Sequence, residues 1–141
     1  NQLSLLKVHD LKSLQSLDCS DNRLASLDIQ GLPALENLTC SGNQLSSLNV
    51  QNLNALSKLD CSYNQLNANA FTTLFNNLPT RSDLVYDSAR CYVYDEVPGK
   101  TEGNHKDFVS PENLKKAFEN VKNVKQWDIF KWDAKGRPQK L

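Results

Sequence analysis

A chain of 141 residues with zero formal net charge and 39% hydrophobic residues is long enough for one hydrophobic core. It lacks the basic excess that a nucleic-acid partner requires, so no nucleic acid is expected. No run of 18 apolar residues occurs, so no transmembrane helix is predicted; no secretory leader is visible, and the reading expects a mature or trimmed segment.

The chain opens on an internal repeat. Leu17–Leu24 (LDCSDNRL), Leu38–Leu45 (LTCSGNQL) and Leu59–Leu66 (LDCSYNQL) recur with a period of 21 residues. Cys19, Cys40 and Cys61 share one phase, and Asn22, Asn43 and Asn64 another. Leu14, Leu35 and Leu56, then Ile29, Val50 and Phe71, then Leu32, Leu53 and Leu74 extend the register on either side. The entry is mid-coil, because Asn1, Leu3, Leu6, Val8 and Leu11 are in phase with Asn22, Leu24, Leu27, Ile29 and Leu32. A fixed short period means stacked coils.

Within a coil, Leu17-Asp18-Cys19 alternates in, out, in, as a half-buried strand does. Successive coils are expected to pair these strands in parallel, with the in-phase asparagines satisfying backbone groups where each coil turns. A second echo runs from Leu24 through Leu27 to Ile29 and from Leu45 through Leu48 to Val50. A coil this short leaves no room for a full helix on its back, so short extended segments are expected at residues 27–29 and 48–50.

The unit LxxLxCSxNxL resembles the leucine-rich repeat, over residues 1 to about 80. The resemblance implies a leucine-rich repeat solenoid of α/β type, with a parallel ladder on one side and extended segments on the other.

The four cysteines allow disulfides in principle. In-phase side chains on adjacent strands point the same way, which suits the disulfide dihedral poorly. The cysteines are therefore expected to be free, buried and apolar in role. They form a line and not a converging set, so no zinc site is expected.

After Leu74 the repeat fails. Ala89–Asp95 alternates and is rich in β-formers, which predicts a fourth ladder strand with Cys91 and Val93 inward. Glu96 stands near the next asparagine position, so the asparagine ladder is expected to end there. Residues 97–106 read as a turn-rich loop. Ser110-Pro111-Glu112 reads as a helix start, with Ser110 as N-cap and Pro111 first in the helix. Leu114, Ala117, Phe118 and Val121 form its apolar stripe. Lys115, Lys116, Lys122 and Lys125 read as a solvated basic face. Trp127–Trp132 suits a terminal strand, ended by Gly136, Arg137 and Pro138.

Residues 75–141 also resemble the carboxyl-terminal cap of short-repeat bacterial surface leucine-rich repeat proteins, related in architecture to internalins. The resemblance rests on Leu78-Pro79-Thr80-Arg81, the strand at Cys91–Tyr94, Pro98-Gly99, the helix and Trp127. It divides the chain into coils at 1–80 and a cap at 81–141, packed as one domain. It implies an exported protein held at the bacterial cell surface. Phe118 and Trp127 are expected to seal the last coil.

The outward ladder positions are polar and mildly acidic, and a protein or peptide ligand is expected there. The candidate contacts are Tyr63, Asp60, Asp18, Thr39, Lys58, Asn37 and Asp21. Tyr63 is the only aromatic on this face by phase. It reads equally as an interface anchor and as a residue packed on the cap. Four coils spaced at roughly 4.8 Å span only about 15–20 Å, small beside the roughly 800 Å² per partner of a standard interface. Either binding is weak or the chain is part of a longer protein. A monomer is expected.

Catalysis has little support. A Cys91–His105 dyad lacks an orienting third group, and Asp83, Asp87, Asp95 and Glu96 lack calcium-loop spacing. No cofactor, no metal and no catalytic residue is expected. Two alternatives to the protein-binding module remain: a spacer domain without a ligand, and a glycan-binding module using Tyr63 or the Tyr92/Tyr94 pair.

Overall fold

The computed structural model describes residues 1–81 and 88–141. The three repeats place β1 (Ser16–Asp18), β2 (Asn37–Thr39) and β3 (Lys58–Asp60) side by side in parallel. Leu17, Leu38 and Leu59 share one register position, so the 21-residue sequence period becomes one ladder step. β4 (Ala89–Asp95) adds in parallel with Leu59 opposite Cys91. The expected fourth strand is therefore present, and Cys91 and Val93 are fully buried. β5 (Trp127–Trp132) is a fifth parallel strand, and β6 (Pro138–Lys140) returns antiparallel on its far side. The sequence reading had the chain's last strand end at Gly136-Arg137-Pro138. Instead a turn there, held by Asp133 accepting from the Arg137 side chain at 2.9 Å, starts β6.

Each coil turns twice through left-handed backbone. Asp10, Gly31 and Asn52 occupy one such position (φ 68°, 76° and 66°), and Asp21, Gly42 and Tyr63 the other (φ 52°, 66° and 51°). Gly, Asn and Asp tolerate this region, whereas a bulky residue does so at a cost. Tyr63 is the exception and is held by its surroundings, described below.

The asparagine ladder is the main polar device of the core. The Asn43 side-chain amide donates to the carbonyls of Cys19 and Cys40 at 3.0 and 3.1 Å, and its oxygen accepts from Leu24 N at 3.0 Å. Asn64 repeats this one coil later with Cys40, Cys61 and Leu45. Each amide thus bridges two coils, using donors and acceptor together.

The ladder does not end at Glu96, as the spacing had implied. Asn104 supplies the next rung: it donates to the carbonyls of Cys61 and Val93, both at 2.8 Å, and accepts from Leu66 N at 2.8 Å. His105 N then bonds Leu66 O as Gln65 N bonds Leu45 O. The loop after β4 is an excursion from a fourth coil, and Gly103-Asn104-His105 stands where Gly42-Asn43-Gln44 stands two coils earlier. Gly103 is required by a close approach, since a Cβ there would lie 2.3 Å from Asn64 O.

The backs of the coils differ from expectation. Extended pairing is reduced to a single parallel bridge, Lys7 with Asp28, and residues 48–50 form no strand. In the third coil the back is a helix, α1 (Ala68–Asn77), started by Asn67, whose side chain accepts from Ala70 N at 2.9 Å. The exclusion of a back helix fails because this coil is longer: Cys91 follows Cys61 after a step of 30 positions, against 21 in the earlier coils. Phe71, Leu74 and Phe75 give α1 its buried stripe.

α2 (Glu112–Asn123) packs on α1 with Leu114, Ala117 and Val121 buried. Its N-cap is Pro111 and not Ser110, and no side chain caps it. Phe108 joins the two helices, meeting Phe71 edge-on at 5.2 Å and stacking on Phe118 at 5.2 Å. Trp127 is buried beneath, its indole N–H donating to Pro79 O at 2.8 Å; Phe118 is only half-buried. Lys125 does not belong to a solvated face: its ammonium donates to Asn76 O and Leu78 O, both at 2.6 Å, at the end of α1. There it neutralises unpaired helix carbonyls, and burial lowers its pKa. Lys122 likewise donates to Leu141 O at 2.7 Å.

Candidate functional site

The ladder turns its outward side chains into rows. One row runs Ser16, Asn37, Lys58, Arg90 and Asp128; the next runs Asp18, Thr39, Asp60, Tyr92 and Phe130. Five of these, Asn37, Lys58, Asp18, Thr39 and Asp60, are predicted contacts, and the structure brings them onto one surface.

Asp18 and Asp60 occupy equivalent positions with opposite electrostatics. Both accept from a serine two residues on: Asp18 from Ser20 N at 3.0 Å and Ser20 Oγ at 2.6 Å, Asp60 from Ser62 N at 3.1 Å and Ser62 Oγ at 2.7 Å. Asp18 is exposed at the first strand, and the Ser20 bonds lower its pKa. Asp60 lies in mid-sheet, where burial raises its pKa above the ordinary carboxylate value despite the bonds from Ser62. The folded-state pKa of Asp60 thus lies above the unfolded one, so its contribution to stability is full below the unfolded pKa and is lost as pH rises through the folded pKa. Asp60→Asn is therefore expected to raise Tm at pH 7, with a gain that shrinks towards pH 3, as read by thermal unfolding at both values. A lower Tm at pH 7 than at pH 3, relative to the parent chain, would contradict this assignment.

Tyr63 and Asp21 stand apart from the rows, at the left-handed turn. Asp21 meets Lys100 at 3.6 Å on the surface. Tyr63 is half-buried, with Lys100 Nζ 5.1 Å from its ring centre and its backbone N donating to Glu102 Oε2 at 2.8 Å. Its hydroxyl is pushed up to about 12 by burial and then by Asp95. The contacts that hold this tyrosine at positive φ come from the loop after β4.

Tyr63 is not the only aromatic of the strand face. Tyr92 points outward from β4, and Phe130 and Trp132 from β5. Tyr92 stacks on Trp132 at 4.7 Å (12° between planes) and on Phe130 at 5.3 Å (22°). The alternation contains this signal: if Cys91, Val93, Trp127 and Ile129 point inward, then Tyr92, Phe130 and Trp132 point outward. Reading 127–132 as simply apolar hid it. The Tyr92/Tyr94 pair offered for glycan stacking is buried, at 7% and 6% exposure.

The chemical alternatives find no assembly. Cys91 is fully buried at a leucine position. His105 bonds Asp107 O through its ring, within a loop. Cys19, Cys40, Cys61 and Cys91 are free and buried, and burial raises the Cys19 thiol to about 11, far from a reactive thiolate. Asp83 and Asp87 lie outside the described residues. Asp95 and Glu96 serve Val97 N and the Lys131 ammonium. Among the described residues no group of three His, Cys, Asp or Glu could hold a metal, and no helix is long and apolar enough to cross a membrane. A hollow of about 500 Å³ lies on the other side of the molecule, between the second coil's back and α1, lined by uncharged groups such as Ser47, Asn49, Asn69 and Thr73. None of the predicted contacts lines it.

No curated protein and no solved structure matches the chain. Residues 12–55 match the family model for leucine rich repeats in two copies, a stretch that contains β1, β2 and the Asn43 rung. Over residues 12–55 the chain therefore carries leucine-rich repeats.

Proposed function

We propose that this protein is a non-enzymatic binding module that holds a protein or peptide on the outward face of its strand ladder. Leucine-rich repeats commonly mediate binding between proteins, and that general role supports the reading. The observation that carries it is the register: Asp18, Thr39 and Asp60 in one row, and Asn37 and Lys58 in the next, form a continuous polar surface that ends on an aromatic group. Asp21 and Tyr63 border this surface through the loop that contacts them. The coils form a solenoid, and residues 81–141 act as its cap, shielding the last strand and core from association. Export to a bacterial surface accords with the resemblance of the cap to surface leucine-rich repeat proteins.

A displayed peptide library panned on the immobilised chain tests the reading, with Thr39→Arg as the counter-target. Thr39 is half-exposed in mid-row, so an arginine there blocks the face without entering the core. Enriched peptides are expected to lose at least about tenfold in affinity on Thr39→Arg, roughly 1.4 kcal/mol. Peptides that bind both chains equally would move the site off this face, and a face that enriches nothing would favour the spacer alternative.

A further inference from the structure

The end of the strand face carries an arrangement that the polar rows alone do not explain. Trp132 is stacked on Tyr92, and Tyr92 is the register partner of Asp60 on β3, so the Asp60 carboxylate lies beside this ring pair. The ring is held from below by this stacking. Tyr92 is buried beneath it, while Trp132 stays partly exposed. The outer surface of a rigid ring therefore faces solvent at a set orientation.

Its flanks are acidic. Asp60 lies at one edge, and Asp95 is Trp132's register partner on β4. The two carboxylates are close enough for Asp95 to act on Asp60. Among the described residues neither is in a salt bridge, whereas Asp21, Glu96, Asp128 and Asp133 each have a basic partner. Nearby cations are placed away from this ring: Lys131 pairs with Glu96, and Lys58 and Arg90 stand in the neighbouring row. A π-face between two unneutralised carboxylates attracts a cation and repels an anion. A planar guanidinium suits it best, since it stacks on the ring and offers N–H donors at its edges to both acids.

We propose that the Trp132–Asp60–Asp95 group is the anchor point for a basic side chain, arginine above all, of the polypeptide bound on the strand face. This rests on the binding-module reading above and adds the partner's chemistry to it. Asp60 then has a role: its carboxylate borders the ring and supplies an acceptor for the partner's guanidinium. The partner's charge pattern is also set, because Lys58 and Arg90 one row away disfavour a second basic residue there.

The test uses the full chain and a defined probe, the capped tripeptide acetyl-Gly-Arg-Gly-amide, with its uncharged citrulline isostere and maltotriose as comparison arms. The readout is the NMR signal of the Trp132 indole N–H, with the buried Trp127 indole as internal reference. The arginine peptide is expected to move the Trp132 signal saturably at millimolar concentration and to leave Trp127 in place. Asp60→Asn and Asp95→Asn each keep an acceptor oxygen and are each expected to weaken binding by about five- to tenfold. An equal response to the citrulline peptide, a response to maltotriose instead, or an unmoved Trp132 signal overturns the proposal. If Trp132 stays unmoved while library peptides still depend on Thr39, the basic anchor alone is wrong. If Thr39→Arg changes nothing, the face reading fails and the anchor falls with it.

Discussion

Asn104→Ala is expected to lower stability by about 3–5 kcal/mol, the cost of leaving several buried backbone groups without partners at roughly 1–3 kcal/mol each. The substitution orphans Leu66 N and Val93 O and removes one of two amide donors from Cys61 O. These groups sit between the third coil and the one formed by β4, so the loss falls on the joint between repeats and α2–β5. Asn104→Asp sharpens the test. It keeps an acceptor for Leu66 N but sets a carboxylate against two carbonyls, and is expected to be at least as damaging. Denaturant unfolding measures both. A loss under about 1 kcal/mol for either would show that the Asn104 rung is replaced by water.

Trp127→Ala is expected to cost about 3–5 kcal/mol, the usual range for removing a large aromatic from a core. Trp127 is 1% exposed and also donates to Pro79 O, so truncation leaves both a cavity and an unpaired carbonyl. It stands where α2 and β5 meet the Leu78–Arg81 segment, which Arg81 N also ties to Lys125 O at 3.0 Å. Trp127→Phe fills most of the space and is expected to cost clearly less. Comparing the two by chemical denaturation separates volume from the hydrogen bond. Equal stabilities for the two variants would mean that volume contributes little.

How far the sequence reveals these features depends on which physical rule dominates locally. Where one period governs, as from Leu14 to Leu66, phase alone gives the strands, the inward cysteines and the bridging asparagines. Phe71 and Leu74 satisfy two rules at once. They keep the repeat phase and also fit helical spacing with Phe75, so the repeat concealed α1. Asn67, a good N-cap three residues ahead of Ala70, was the available clue. Asn104 was hidden by distance, since position counting from Cys91 lands on residues near Glu96. The Gly-Asn pair at 103–104, matching Gly42-Asn43, was the legible mark. The strand-face residues Asn37, Lys58, Asp18, Thr39 and Asp60 follow from alternation. Tyr63 and Asp21 do not share that surface, because the left-handed turn rotates them out of the rows. The association of Trp132 with Asp60 could not be read from either segment, because it depends on β5 taking its place beside β4.

Strand order follows chain order from β1 to β6, which has a mechanical consequence. Tension between the two ends acts across the strands and not along them, so hydrogen bonds load in succession and the sheet peels instead of resisting in shear. Because each coil contacts mainly its neighbours, peeling can release one repeat while the next holds. A freed repeat of 21 residues itself spans about 70 Å at full extension. Under load the amide bridges between coils are therefore expected to give way in turn.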